Sequence, residues 1–197
     1  MPDYFALFNE SRRPWLEAEA LKEKFLALSA EVHPDRVHHA SAADKLAANR
    51  RYTELNAAYN CLREPRERLR HLLELELGQK PSDLTNVPND LMDMFFSVGK
   101  LFREVDTFVA EKGKATSPLL QVQLFERGQE WIESLVGLRQ LVNSRREPLI
   151  DELKRLCADW GADLPKALER LLGIWRFLSF YDRWLAQIQE RMVQISF

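Results

Sequence analysis

Residues 31–39 read EVHPDRVHH and hold three of the chain's four histidines, His33, His38 and His39. Imidazoles at this density raise three chemistries: metal ligation, acid–base catalysis and recognition by a partner. Metal ligation fits poorly. Pro34 interrupts any helical spacing, no cysteine lies near, and the adjacent pair His38–His39 is not a usual ligand spacing. Acid–base work by His33 and Asp35 needs a substrate pocket and an orienting group, and the flanks AEV and RVHHASAAD suggest neither. The remaining reading is a loop that a partner recognises. No catalytic residue, metal ligand or cofactor is expected.

The elements that must hold this loop are helical. Periodicity near 3.6 dominates the chain and no long alternating run appears, so the fold class is all-α. A short helix is predicted around Asp3–Phe8, and a longer one from about Glu17 to Val32. In the longer helix Leu21, Phe25, Leu28 and Val32 share one face. Pro34 ends it, because proline restricts the residue before it and lacks the backbone donor. Ser41, with Asp44 three residues on, is a capping-box pattern. The helix that follows carries Leu55, Ala58, Tyr59 and Leu62 on one side, with Ala48 and Tyr52 earlier, and Pro65 breaks it. RERLRHLLELELG continues as a further helix, which Gly78 is placed to stop.

Residues 79–88, QKPSDLTNVP, combine two prolines with polar turn formers and read as a linker. Three long helices are predicted beyond it, at about 89–112, 119–160 and 165–195. The middle one carries possible irregularities at Gly128, Gly137 and Pro148. Short connections imply antiparallel neighbours, hence a three-helix bundle. The expected organisation is a first domain over 1–78, the linker at 79–88 and the bundle over 89–197.

Bulk properties narrow the function classes. A net charge of −2 with 29% charged residues argues against a nucleic-acid-binding domain, which would be basic. Arg50–Arg51 and Arg63, Arg66, Arg68 and Arg70 are basic clusters that could suggest RNA binding. Acids interleave with the second group, so it reads as a solvated helix face. No apolar run reaches the roughly 18 residues that would span a membrane. The N-terminus lacks a basic segment followed by a long apolar stretch, so no signal peptide is read. Cys61 and Cys157 stand outside any C-x-x-C pair, at apolar-periodic helix positions, and are expected as small buried hydrophobes. A cytoplasmic protein is expected.

A His-Pro-Asp triplet between an amphipathic helix and a second, antiparallel helix resembles the J-domain. The phrases DYFALF, LKEKFLALSAEVHPDR and YTELNAAYNCLREPRERLRHLLEL carry the same resemblance. With no Gly/Phe-rich stretch, no Cys-rich module and a helical second half, the plan resembles the HscB-type co-chaperone of iron–sulfur cluster assembly. DLMDMFF and FYDRWLAQIQERM add local similarity. The resemblance implies that His33, Pro34 and Asp35 dock on the ATP-bound state of a heat-shock-seventy-class chaperone of HscA or DnaK type. Lys22, Lys24 and Arg36 would supply basic contacts, and ATP hydrolysis would occur in the partner. Val32 stands where the family usually has tyrosine, and LALSAE carries no base in the two turns before the triplet. A weaker basic face favours a dedicated partner. It also leaves a second reading, a helical adaptor with a degenerate J-domain.

The second half would hold an IscU-type iron–sulfur scaffold protein. By resemblance that task falls on Leu91, Met92 and Phe95, with Phe180 from the last helix. Leu91, Met92, Met94, Phe95 and Phe96 leave only Asp93 polar among six positions. One helical stripe of roughly 100° cannot bury them all. Some must face a partner, solvent or the first domain. Trp175, Phe177, Tyr181 and Trp184 in the last helix are expected in the core.

Overall fold

The structure, a computed structural model, describes residues 2–33, 41–81, 86–115 and 117–196. Seven α-helices run through them: α1 (Tyr4–Leu7), α2 (Ala18–Glu31), α3 (Ala42–Arg63), α4 (Pro65–Leu77), α5 (Met92–Lys112), α6 (Pro118–Ala158) and α7 (Leu164–Ser196). A 3-10 turn, Asn89–Leu91, leads into α5. Among the described residues there is no strand, and the all-α expectation holds.

Local chemistry sets the helix ends. Asp3 caps α1, its carboxylate accepting from the Phe5 and Ala6 backbone N–H groups at 2.9 and 3.1 Å. At the start of α3, Ser41 Oγ accepts from the Asp44 N–H at 3.2 Å and donates to the Asp44 carboxylate at 2.7 Å. This is the expected capping motif. Glu64 turns extended before Pro65, which opens α4 at its first position, where a missing N–H costs no helical bond. Gly78 closes α4 in the left-handed region at φ 70° and donates to Glu74 O. Only glycine adopts that conformation freely.

Contacts divide the chain into two compact units. The first comprises 1–82 with 150–175, the second 83–149 with 176–197. The expected boundaries therefore differ from the structure in one respect: the end of α6 and the start of α7 pack with the N-terminal helices. Trp15 shows why. Its ring lies 5.3 Å from the Arg68 guanidinium and 5.1 Å from Lys154 Nζ, and its carbonyl accepts from Cys157 Sγ at 3.7 Å. Arg170 pairs with Glu152 through both carboxylate oxygens at 2.6 Å, joining α7 to α6 within the same unit.

The second unit is built on α5, α6 and α7. Val98, Phe102, Val105 and Phe108 form the inner stripe of α5, packed with Leu124, Leu135 and Val142 of α6 and Tyr181, Trp184, Ile188 and Ile195 of α7. α6 passes through Pro148 without interruption, so the expected irregularities do not break it. Gly128 is buried there. A Cβ at Gly128 would stand 3.2 Å from Ile195 Cγ2 and 3.6 Å from Phe108 Cζ, so the close approach of three helices depends on its smallness. Trp175, Tyr181 and Trp184 are buried and Phe177 is half-buried, in keeping with the expected core role.

Candidate functional site: the open end of the α2–α3 hairpin and the exposed face of α5

α2 and α3 face each other through aromatic contacts. Phe25 stacks on Tyr59 with ring centroids 4.3 Å apart and planes 12° from parallel. Eight residues further along the chain from Phe25 and seven back along α3 from Tyr59, the His33 and Tyr52 rings meet at 5.5 Å, 79° apart. His33 follows Val32, the C-cap of α2, and is half-buried at the end of the hairpin where the chain passes from α2 to α3. Pro34, Asp35 and Arg36 lie outside the described residues, as do His38 and His39. Among the described residues no group of three or more His, Cys, Asp or Glu side chains is arranged to hold a metal ion.

The two lysines of α2 are placed differently. Lys22 is exposed and, among the described residues, pairs with the exposed Glu19 at 3.5 Å, a pairing of little energetic weight. Lys24 reaches back to Glu10, which also accepts from Arg13 at 3.0 Å. Glu10 is mostly buried. Lys24 therefore ties α2 to the loop after α1, while Lys22 is the base left facing outward.

The apolar run at the start of α5 splits between two faces. Leu91 and Phe180 are 2% and 3% exposed and belong to the core of the second unit. Phe180 packs on Trp184 at 5.9 Å, with the Arg183 guanidinium 5.8 Å from its ring. Met92, Phe95 and Phe96 are 36%, 40% and 63% exposed, and the two phenylalanine rings meet edge to face at 6.0 Å. Of the four residues expected to contact a scaffold, two are thus surface and two are internal. Phe96, which the resemblance did not assign to the scaffold, joins the surface pair. Its place in an overfull apolar run was the available signal.

One arginine of the basic cluster departs from the expected solvated face. Arg68 is 2% exposed, because α4 turns it inward beneath Trp15. Its Nε donates to Pro14 O at 2.9 Å and its Nη1 to Leu62 O at 2.7 Å. Burial lowers its pKa to about 10, which still leaves it charged at neutral pH. Burial likewise pushes the Cys61 thiol up to about 11, an unreactive state that fits a packing role. Cys157 is only half-buried.

The fold, a helical hairpin with further helices in an all-α chain, is similar to that of solved HscB chains. "Chaperone HscB from Vibrio cholerae" superposes with a TM-score of 0.62 at 21% identity, covering 96% of both chains. The human co-chaperone protein HscB superposes with a TM-score of 0.64 at 17% identity, over 96% of this chain and 81% of that one. At these identities the likeness establishes the fold. In sequence, 91 residues (46% of the chain) are 36% identical to the "Co-chaperone protein HscB homolog" of Chromobacterium violaceum. The match spans 52% of that relative, about half its length. No family model matches the chain. The resemblance to the HscB type read from the sequence is borne out.

Proposed function

We propose that the chain is a J-type co-chaperone that stimulates the ATPase of a heat-shock-seventy-class chaperone of HscA or DnaK type and delivers an IscU-type iron–sulfur scaffold protein to it. The observation that carries this reading is the antiparallel α2–α3 hairpin with His33 at its connecting end, where the sequence continues Pro34-Asp35. His33, Pro34 and Asp35 are the docking triplet, with Lys22 and Arg36 as flanking charges. Lys24 contributes less, because docking through it would first break its pairing with Glu10. Met92, Phe95 and Phe96 form the scaffold-facing patch, and Leu91 and Phe180 hold it from beneath. Bond cleavage takes place in the partner's nucleotide site, and this chain supplies binding energy only.

The test is steady-state ATP hydrolysis by a matched chaperone with and without the full chain. His33→Gln should abolish stimulation and leave the circular dichroism spectrum unchanged, since the imidazole stands at the hairpin's rim. A folded variant that stimulates as well as the wild type would refute the docking role. It would favour the helical adaptor, an assembly protein with no effect on the ATPase.

A further inference from the structure

The geometry points to Tyr52 as a positioning residue for His33, helping to hold the imidazole in its docking orientation from across the hairpin. This inference rests on the co-chaperone reading. Three observations lead to it. The Tyr52 and His33 rings meet at 5.5 Å and 79°, within the distance and angle range of attractive edge-to-face pairs. Tyr52 is carried by a helix: it lies inside α3 and is half-buried. Finally, α2 ends at Glu31, so beyond its C-cap the helix no longer dictates where the His33 side chain points.

A side chain at the frayed end of a helix loses rotamer freedom only if something outside that helix restricts it. The opposing strut here is α3, which the Phe25–Tyr59 stack registers against α2 two turns away. Two aromatic rungs thus set the height and rotation of the hairpin's end. The lower rung joins the helices, and the upper one aims the imidazole. The residue next to the triplet on its N-terminal side, Val32, is aliphatic and offers His33 no ring. Tyr52 acts through the ring face and edge. Its hydroxyl is not required for such a pair.

Nuclear magnetic resonance of the full chain tests the contact without any partner. Cross-relaxation between the His33 and Tyr52 ring protons should be observed in the wild type, with His33 assigned through His33→Gln. The His33 ring signals should move in Tyr52→Leu and stay near their wild-type positions in Tyr52→Phe, while those of His71 stay put in both. In the ATPase assay, Tyr52→Leu should lose most of the stimulation, and Tyr52→Phe should keep it within about twofold. Absent cross-relaxation in the wild type overturns the inference, and this holds even if the leucine variant fails to fold. A folded Tyr52→Leu with unmoved His33 signals, or with full stimulation, overturns it too. A wild-type chain that stimulates no chaperone instead refutes the co-chaperone reading, and with it the task for which His33 is held.

Discussion

His71 is fully buried on α4, and its Nε2 accepts the Tyr4 backbone N–H at 3.1 Å. The accepting nitrogen must be unprotonated, so the proton of the neutral ring sits on Nδ1. The Tyr4 and Phe5 rings cover the imidazole at 4.6 and 5.8 Å. Burial holds its pKa below the ordinary value, although Asp3 and Glu74 pull the other way. The unfolded state therefore binds the proton first. Stability is fully present above about pH 6.5, the unfolded value, and falls as the pH drops below it until the folded value is passed. Protonation would also cost α1 its link to α4. Urea unfolding at about pH 7.5 and about pH 5.5 should show a larger loss for the wild type than for His71→Gln. Equal losses would mean that another group titrates. Neither this histidine nor Arg68 announced itself in the sequence. Each lies in a run of alternating charges, RERLRH, and only the position of the N-terminal segment decides that they turn inward.

The helices themselves were far more legible, because their ends are written in short-range chemistry. Ser41 with Asp44, Glu64 before Pro65, and Gly78 are interactions within four residues, and each sets a helix end where the sequence places it. Ser41→Ala removes the side-chain acceptor of the Asp44 N–H from a helix whose first turns are exposed on all sides. The loss should be about 1 kcal/mol of stability, measurable as a lower urea midpoint with an unchanged slope. A change within error would mean that water replaces the hydroxyl at no cost. Gly128 and Pro148 show the reverse case. Read locally they suggest breaks, yet α6 continues through both, because long-range packing supplies what propensity withholds. At Gly128 the residue type answers to Ile195 and Phe108, which are distant in sequence, so no local rule could find its role.

At the scale of the whole molecule, the proposed division of labour makes a separable prediction. Replacing Met92, Phe95 and Phe96 together with alanine should weaken binding of an IscU-type protein at least tenfold, about 1.4 kcal/mol, as an exposed aromatic cluster commonly does. All three side chains are at least one-third exposed, so the melting temperature should change little. Chaperone stimulation without scaffold should be unaffected. A triple variant with wild-type scaffold affinity in calorimetry would remove this face from the proposal. Leu91→Ala and Phe180→Ala would instead lower the melting temperature, because both side chains lie in the core. The sequence showed that part of this apolar run had to stay outside the core, and Met92, Phe95 and Phe96 do. It could not divide inner from outer positions, since that depends on how the 3-10 turn at Asn89–Leu91 rotates the first turn of α5.

The discontinuous first unit has a consequence for how such a chain can be inherited. Trp15 and Arg68 lie before the linker, while Lys154 and Cys157 lie almost seventy residues beyond it, yet the guanidinium and the ammonium both meet the Trp15 ring and the thiol meets its carbonyl. A recombination crossover at residues 79–88 would look harmless on the linear map. It would nevertheless transplant the indole and the buried guanidinium without the α6 residues that close over them. Shuffled genes that exchange only the first 78 codons should therefore yield poorly folded hybrids, and co-transfer of codons 150–175 should rescue them. Selection sees this unit as two stretches of gene bound to a common fate.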